Sequence, residues 1–283
     1  MKYKIVTDSS CEFPVEWRND PRFERVALGL EVDGNIYMDD DQVDQKEFMD
    51  RVSRADSLPS SFCPTAQAYA KAFDCDADTI LVFTLSSKIS ASFESAVAGR
   101  RIALDKLKEA GLPKKKIFIC DSKSASVGET KLVMKAVELC EQDTAYKDIC
   151  LKLMFLCNQM KTYFVPNSLD ALKKSGRLKS TEPFIGKALN VKPLLCGMDG
   201  EIAKLDQGVG KKKAIGKLVE QMLSDIKTPE KKTIIISHCN ALDTANEIKQ
   251  MILSKIKGVT VIIMDATGVS SFYASQGSVI VAV

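Results

Sequence analysis

The sequence predicts an α/β protein whose first domain is built on a parallel sheet flanked by helices. Three observations point there. Short apolar runs alternate with segments of helical period, the pattern of strands joined by crossover helices. Three of the strands end alike, in the hydroxyl-bearing stretches VTDSS at 6–10, VFTLSS at 82–87 and ICDSKS at 119–124. At 283 residues the chain exceeds the usual size of one domain, so two α/β domains are expected, 1–160 and 161–283.

Taken in order, Tyr3 to Thr7 reads as the first strand and closes on Asp8-Ser9-Ser10. Val26 to Val32 reads as a second, leading through an Asp33-Gly34 turn toward Ile36 and Tyr37. Asp39 to Asp41 precede a helix from about Asp44 to Arg54 and are read as its N-terminal charge. Alternating oxygen ligands around a glycine, the mark of a calcium loop, are missing there. Residues 58–64 read as a proline-bracketed loop before a helix from Thr65 to Phe73. Ile80 to Phe83 is a buried strand, after which Ile89, Phe93, Ala96 and Val97 recur on one helical face. Lys116 to Cys120 makes a strand, and Ser126 to Glu141 a helix.

In the second half, a helix from Ala145 to Lys161 leads to the strand Tyr163 to Val165 and to a helix through Leu169 and Leu172 that stops at Ser175-Gly176. Residues 189–194 and Ile202 to Leu205 flank Gly197-Met198-Asp199-Gly200 as a hairpin. A helix from Lys212 to Ile226, a strand from Thr233 to Ser237, a helix from Leu242 to Ile256 and a last strand from Val259 to Met264 complete the pattern.

Composition narrows the function. Lys plus Arg number 40 against 37 Asp plus Glu, a net charge of +3 that is too small and too evenly spread for a nucleic-acid surface. The basic runs Lys114 to Lys116 and Lys211 to Lys213 have no aromatic residues among them and read as solvated faces. No charge-free window reaches membrane-spanning length, and Met1-Lys2-Tyr3-Lys4 runs straight into a strand, so no membrane insertion and a cytoplasmic protein are expected. Nine cysteines lie more than four residues apart and there is a single histidine, His238; reduced thiols are expected, with no structural metal.

The chemistry concentrates at Ser86, Ser87, Ser90 and Ser92. A strand ending in hydroxyls and feeding a helix offers free N–H groups and a positive dipole end, which suit a carboxylate or phosphate without a metal or other cofactor. The plainer reading is that Ser90 caps the helix. In a parallel sheet the strand ends share one side, so three hydroxyl-rich ends can line one crevice. A serine hydrolase is the rival reading, but GxSxG is absent and His238 falls in the other domain. GxxxxGK[ST] and GxGxxG are absent too.

KIVTDSSCEFP, LEVDGNIYMDD, PSSFCPTAQAY, LSSKISASFESA, ICDSKSASVG, SLDALKKSGRLKS, LNVKPLL with DGEI, and ISHCNALDTANEI follow one another along nearly the whole chain. Together they resemble the DegV proteins, a family of bacterial fatty-acid-binding proteins. The resemblance implies two α/β domains with a long-chain fatty acid in a cleft between them and its carboxylate held by hydroxyls. It also implies a carrier, not an enzyme, that offers the carboxylate to a separate fatty acid kinase; a lipid sensor or scaffold without a kinase is the alternative. By position, Ser90 falls on the family's carboxylate-binding serine and Ser61 on a usual threonine, keeping the hydroxyl. Phe62 and Cys63 replace a polar pair, and Ala91 and Ser92 stand where glycine and threonine are usual. Tyr273 or Ala274 takes the place of a tail histidine, and Val209 that of an arginine before the basic helix. The expected ligand-binding residues are therefore Ser61, Ser90, Ser92 and Tyr273.

Overall fold

The computed structural model describes residues 2–57, 59–178, 190–226 and 232–283. Leu58 and Leu189, where the sequence reading begins a loop and a strand, lie outside them. In chain order the described elements are β1 (Tyr3–Asp8), α1 (Val15–Arg18), β2 (Phe23–Val26), β3 (Gly29–Val32), β4 (Asn35–Met38), α2 (Gln45–Arg54), β5 (Ser60–Phe62), α3 (Ala66–Ala72), β6 (Thr79–Thr84), α4 (Ser92–Glu109), β7 (Lys116–Asp121) and α5 (Val127–Glu141). The second half adds α6 (Tyr146–Gln159), β8 (Thr162–Val165), α7 (Asp170–Lys174), β9 (Val191–Met198), β10 (Glu201–Val209), α8 (Lys211–Asp225), β11 (Thr233–His238), α9 (Leu242–Lys255), β12 (Thr260–Asp265), α10 (Gly268–Ala274) and β13 (Val279–Ala282).

The expected α/β architecture is present. A four-stranded sheet runs β2-β1-β6-β7, parallel throughout. Every residue of β6 is buried, as befits a strand with both faces covered. On one face Tyr69 of α3, Phe73 at its C-terminal cap, and Ala96 and Ala103 of α4 pack against Ile80 and Val82. Leu132, Leu139, Ile149 and Leu153 of α5 and α6 cover the other. Gly99 is required where α3 and α4 cross, because a Cβ there would lie 2.7 Å from the Ala66 carbonyl.

The second sheet, β10-β9-β8-β13-β11-β12, is mixed, and only its β11–β12 edge is parallel. Val219, Ile248 and Ile252 of α8 and α9 pack on it. The β9–β10 hairpin turns at Asp199 (φ 50°) and Gly200 (φ 85°), the left-handed pair that a two-residue hairpin needs. A small third sheet, β4-β3-β5, is antiparallel.

Four expectations need correcting. Val26 to Val32 is not one strand: the chain leaves the parallel sheet after Val26 and joins the small sheet at Gly29. Both pieces are extended and apolar, so the change of sheet leaves no mark on the pattern. Residues 58–64 are not all loop, since Ser60–Phe62 is the edge strand that pairs with Gly29–Glu31. The strand at Thr260–Asp265 is not the last: β13 follows and pairs with both β8 and β11, in the middle of the second sheet. Asp39 does not serve the start of α2, which Asp44 caps through the Glu47 N–H. It is buried and accepts from Ser9 Oγ (2.8 Å) and from the N–H groups of Gly268 (2.8 Å) and Val269 (3.1 Å). Burial pushes its carboxyl up to about 6.

Candidate functional site

The hydroxyl-rich ends of β1, β6 and β7 do meet at one cavity. The cavity and its mouth together enclose about 860 Å³. Ser10, Ser90 and Ser124 line it from the parallel-sheet side, and Phe164, Ile202 and Ile280 from the mixed sheet. Polar links bind the two sides around it. Ser86 Oγ donates to the Gly200 carbonyl (2.7 Å), Ser124 Oγ meets Thr162 Oγ1 (2.7 Å) and Ser126 Oγ meets Ser237 Oγ (3.0 Å).

Three of the four expected residues converge. Ser61 projects from β5, Ser90 from the turn before α4, and Tyr273 from α10, and all three line the cavity. Tyr273 OH lies 2.7 Å from Ser61 Oγ. Of the two candidates for the histidine position, then, the tyrosine supplies a polar group; Ala274 lines the same cavity without one. Ser92 stands one layer back. It is fully buried, lies outside the lining, and contacts Ser90 Oγ at 3.0 Å. Ser90 also accepts from the Ser92 N–H (3.2 Å), so part of the plainer local role is real.

One residue was missed. Arg177, just past α7, donates through Nε to the Ile89 carbonyl (2.8 Å) and through a terminal nitrogen to Tyr273 OH (2.6 Å). Its guanidinium lies 4.8 Å from the centre of the Tyr273 ring. Its motif, Ser175-Gly176-Arg177, is readable in the sequence, but only the fold brings it to residue 273. Directionality follows. Arginine only donates, so the tyrosine accepts from Arg177 and its own O–H is free to point at Ser61. The Ser61 proton is then available to a ligand oxygen.

Val209, at the expected arginine position, is 62% exposed and lies outside the cavity lining. His238 closes β11, buried, with Nδ1 accepting from the Ala241 N–H (3.4 Å) and 3.6 Å from Asp265. Burial holds its pKa below the ordinary value. Among the described residues no hydrogen bond joins it to Ser61 or Ser90, so the histidine is not placed as a base for either serine. Among the described residues no group of His, Cys, Asp and Glu has the makings of a metal site, and no helix is long and apolar enough to cross a membrane.

Fold and cavity together define a class, α/β proteins that enclose an apolar cavity between two sheets and place hydroxyls in its wall. The chain belongs to the DegV family: residues 2–283 match the family model described as "Uncharacterised protein, DegV family". A DegV domain-containing protein of Clostridium perfringens is 28% identical over 274 residues, covering 95% of this chain and 92% of that one. A DegV family protein of Ruminococcus gnavus, solved with vaccenic acid, superposes with a TM-score of 0.92 at 32% identity over 99% of both chains. The Thermotoga maritima protein TM841, whose structure "reveals fatty acid binding function", gives a TM-score of 0.83 at 25% identity over 100% of this chain and 98% of that one. The Streptococcus pneumoniae Fatty Acid Kinase (Fak) B3 protein, loaded with linoleic acid, has the same fold, with a TM-score of 0.89 at 24% identity over 100% and 99%.

Proposed function

We propose that this protein binds a long-chain fatty acid in the cavity between its two α/β domains, 1–160 and 161–283, with the carboxylate at Ser61 and Ser90. The observation that carries this reading is a largely apolar cavity with Ser61, Ser90, Tyr273 and Arg177 on its wall. Vaccenic acid in the Ruminococcus gnavus relative supports the ligand class. A long acyl chain contributes on the order of 10 kcal/mol at about 0.8 kcal/mol per buried methylene, against roughly 1.5–3 for each hydrogen bond to the carboxylate. The chain therefore sets affinity and the hydroxyls set orientation.

In this reading the protein is a cytoplasmic carrier without catalysis or a cofactor of its own, and a separate fatty acid kinase phosphorylates the presented carboxylate. A sensor or scaffold without kinase coupling is the second reading, favoured by Tyr273 at the histidine position and by the exposed Val209 where an arginine is usual. The test of binding is native mass spectrometry of protein from a bacterial host, followed by extraction. One long-chain acid per monomer is expected. Lipid-free protein with no thermal shift on adding palmitate or oleate overturns the reading. Acyl phosphate formation with a kinase subunit from the same organism separates the carrier from the sensor.

A further inference from the structure

Asp39 is buried and lies outside the cavity lining, yet its contacts join the two elements that carry Ser61 and Tyr273. It directly follows β4, and its own N–H donates to the Leu28 carbonyl (2.8 Å). Its backbone is thereby fixed to the small sheet β4-β3-β5, in which Ser61 is the middle residue of β5. Its side chain reaches across to α10, the helix of Tyr273. Oδ1 accepts from the Gly268 N–H (2.8 Å), and Oδ2 accepts from the Val269 N–H (3.1 Å) and from Ser9 Oγ (2.8 Å). Gly268 leaves room for this approach, since a Cβ there would lie 2.5 Å from Asp39 Oδ1 and 3.2 Å from Leu30 Cδ1.

Apolar packing does not supply the same control. Leu28 and Leu30 share one apolar cluster with Val269 and Phe272, and contact of that kind is non-directional. It sets how near helix and sheet lie, not how far one slides or turns on the other. Hydrogen bonds to a carboxylate are directional and among the stronger ones. Gln45 of α2 adds a donor to Ser271 Oγ. The far end of α10 is tied to other residues, where Ser275 Oγ accepts from the N–H groups of Asn167 (3.1 Å) and Ser168 (2.8 Å). Val269 and Tyr273 stand four residues apart, about one turn of helix, so a shift of the first turn is passed on to the tyrosine.

We propose, on the footing of the fatty-acid reading above, that Asp39 is a positioning residue for the head-group site: it fixes α10 on the sheet that carries Ser61 and so brings the Tyr273 hydroxyl to Ser61 and Arg177. Both carboxylate oxygens are needed for this. An asparagine has a single acceptor oxygen, so whichever way its amide turns, the N–H of Gly268 or that of Val269 loses its acceptor. The first turn of α10 is then free to shift, and Tyr273 with it.

The test reads Tyr273 directly. In protein labelled with 3-fluorotyrosine the ¹⁹F spectrum reports on six tyrosines, and the signal lost in Tyr273→Phe belongs to Tyr273. Asp39→Asn should shift that signal while those of Tyr3 and Tyr163, in the two larger sheets, stay in place. A Tyr273 signal that does not move, or that moves only together with those of Tyr3 and Tyr163, overturns the proposal. Should Asp39→Asn not fold, Gly268→Ala crowds the same carboxylate from the helix side and must shift the Tyr273 signal in its stead. In palmitate titrations Asp39→Asn and Tyr273→Phe should each weaken binding about fivefold, and the double variant no more than either, because both act on one link. Unchanged binding in Asp39→Asn, or losses that multiply in the double variant, overturn the positioning role. If the unaltered protein takes up no palmitate, the fatty-acid reading falls instead, and the ¹⁹F comparison still decides whether Asp39 places Tyr273.

Discussion

In the proposed head-group site Tyr273 is the link, because it connects the fixed donors of Arg177 to the Ser61 hydroxyl. Tyr273→Phe removes that link while keeping the ring, and should weaken palmitate binding by about 1 kcal/mol in calorimetry. Replacing Ser61 and Ser90 together by Ala deprives the carboxylate of two donors and should cost about 2–5 kcal/mol, each single change less. Unchanged affinity in the double variant would place the carboxylate elsewhere. Ser61 and Ser90 were legible as hydroxyls on the cavity wall because they fall on family positions that carry a hydroxyl, whereas Tyr273 was one of two candidates for a histidine position and both line the cavity. Ser92 was legible as a hydroxyl but not as a second layer, since one turn of backbone decides which serine faces the cavity. Arg177 and Tyr273 are separated by 96 residues, a pairing no local pattern announces.

At the scale of elements, the crossing of α3 and α4 rests on a missing side chain. Gly99→Val would drive a branched side chain into the Ala66 carbonyl and Tyr69 Cβ, both 2.7 Å from the position of a Cβ. We expect a loss of about 1–3 kcal/mol in urea unfolding. An equal midpoint would show that the helices part without cost. Strands with an apolar run, β6 and β11, were readable to within a residue at each end, as were the hairpin turns at Asp33-Gly34 and Asp199-Gly200. The short β2 and β5 were not, because Phe23–Val26 is half charged and Ser60–Phe62 is mostly serine, so neither makes an apolar run. β13 is an apolar run after a turn, Gly277 to Val283, and its composition suits a buried strand; only its partners show that it is central.

For the whole molecule, buried acids couple folding to pH. Asp8 and Asp39 are raised to about 6 and Glu12 to about 7, all by burial. A folded pKa above the unfolded one means that the native state binds more protons. Stability from these groups is then fully present below the ordinary carboxyl range, near pH 4, and is lost as pH rises through about 6 to 7. We expect the thermal midpoint to rise as pH is lowered from about 7.5 toward 5, and a midpoint that falls across that window would show these carboxyls ionised in the native protein.

The place of β13 has a consequence for synthesis on the ribosome. All four strands of the parallel sheet lie within residues 3–121, so that sheet can assemble while the second half is still being translated. The mixed sheet cannot, because residues 279–282 must pass between β8 and β11 before either strand is paired on that side. Until those residues emerge, a nascent chain has no closed cavity and carries two open strand edges that invite pairing with other chains. Chains stopped short of residue 279 should therefore aggregate or be degraded, even though the residues of the proposed head-group site have all been made.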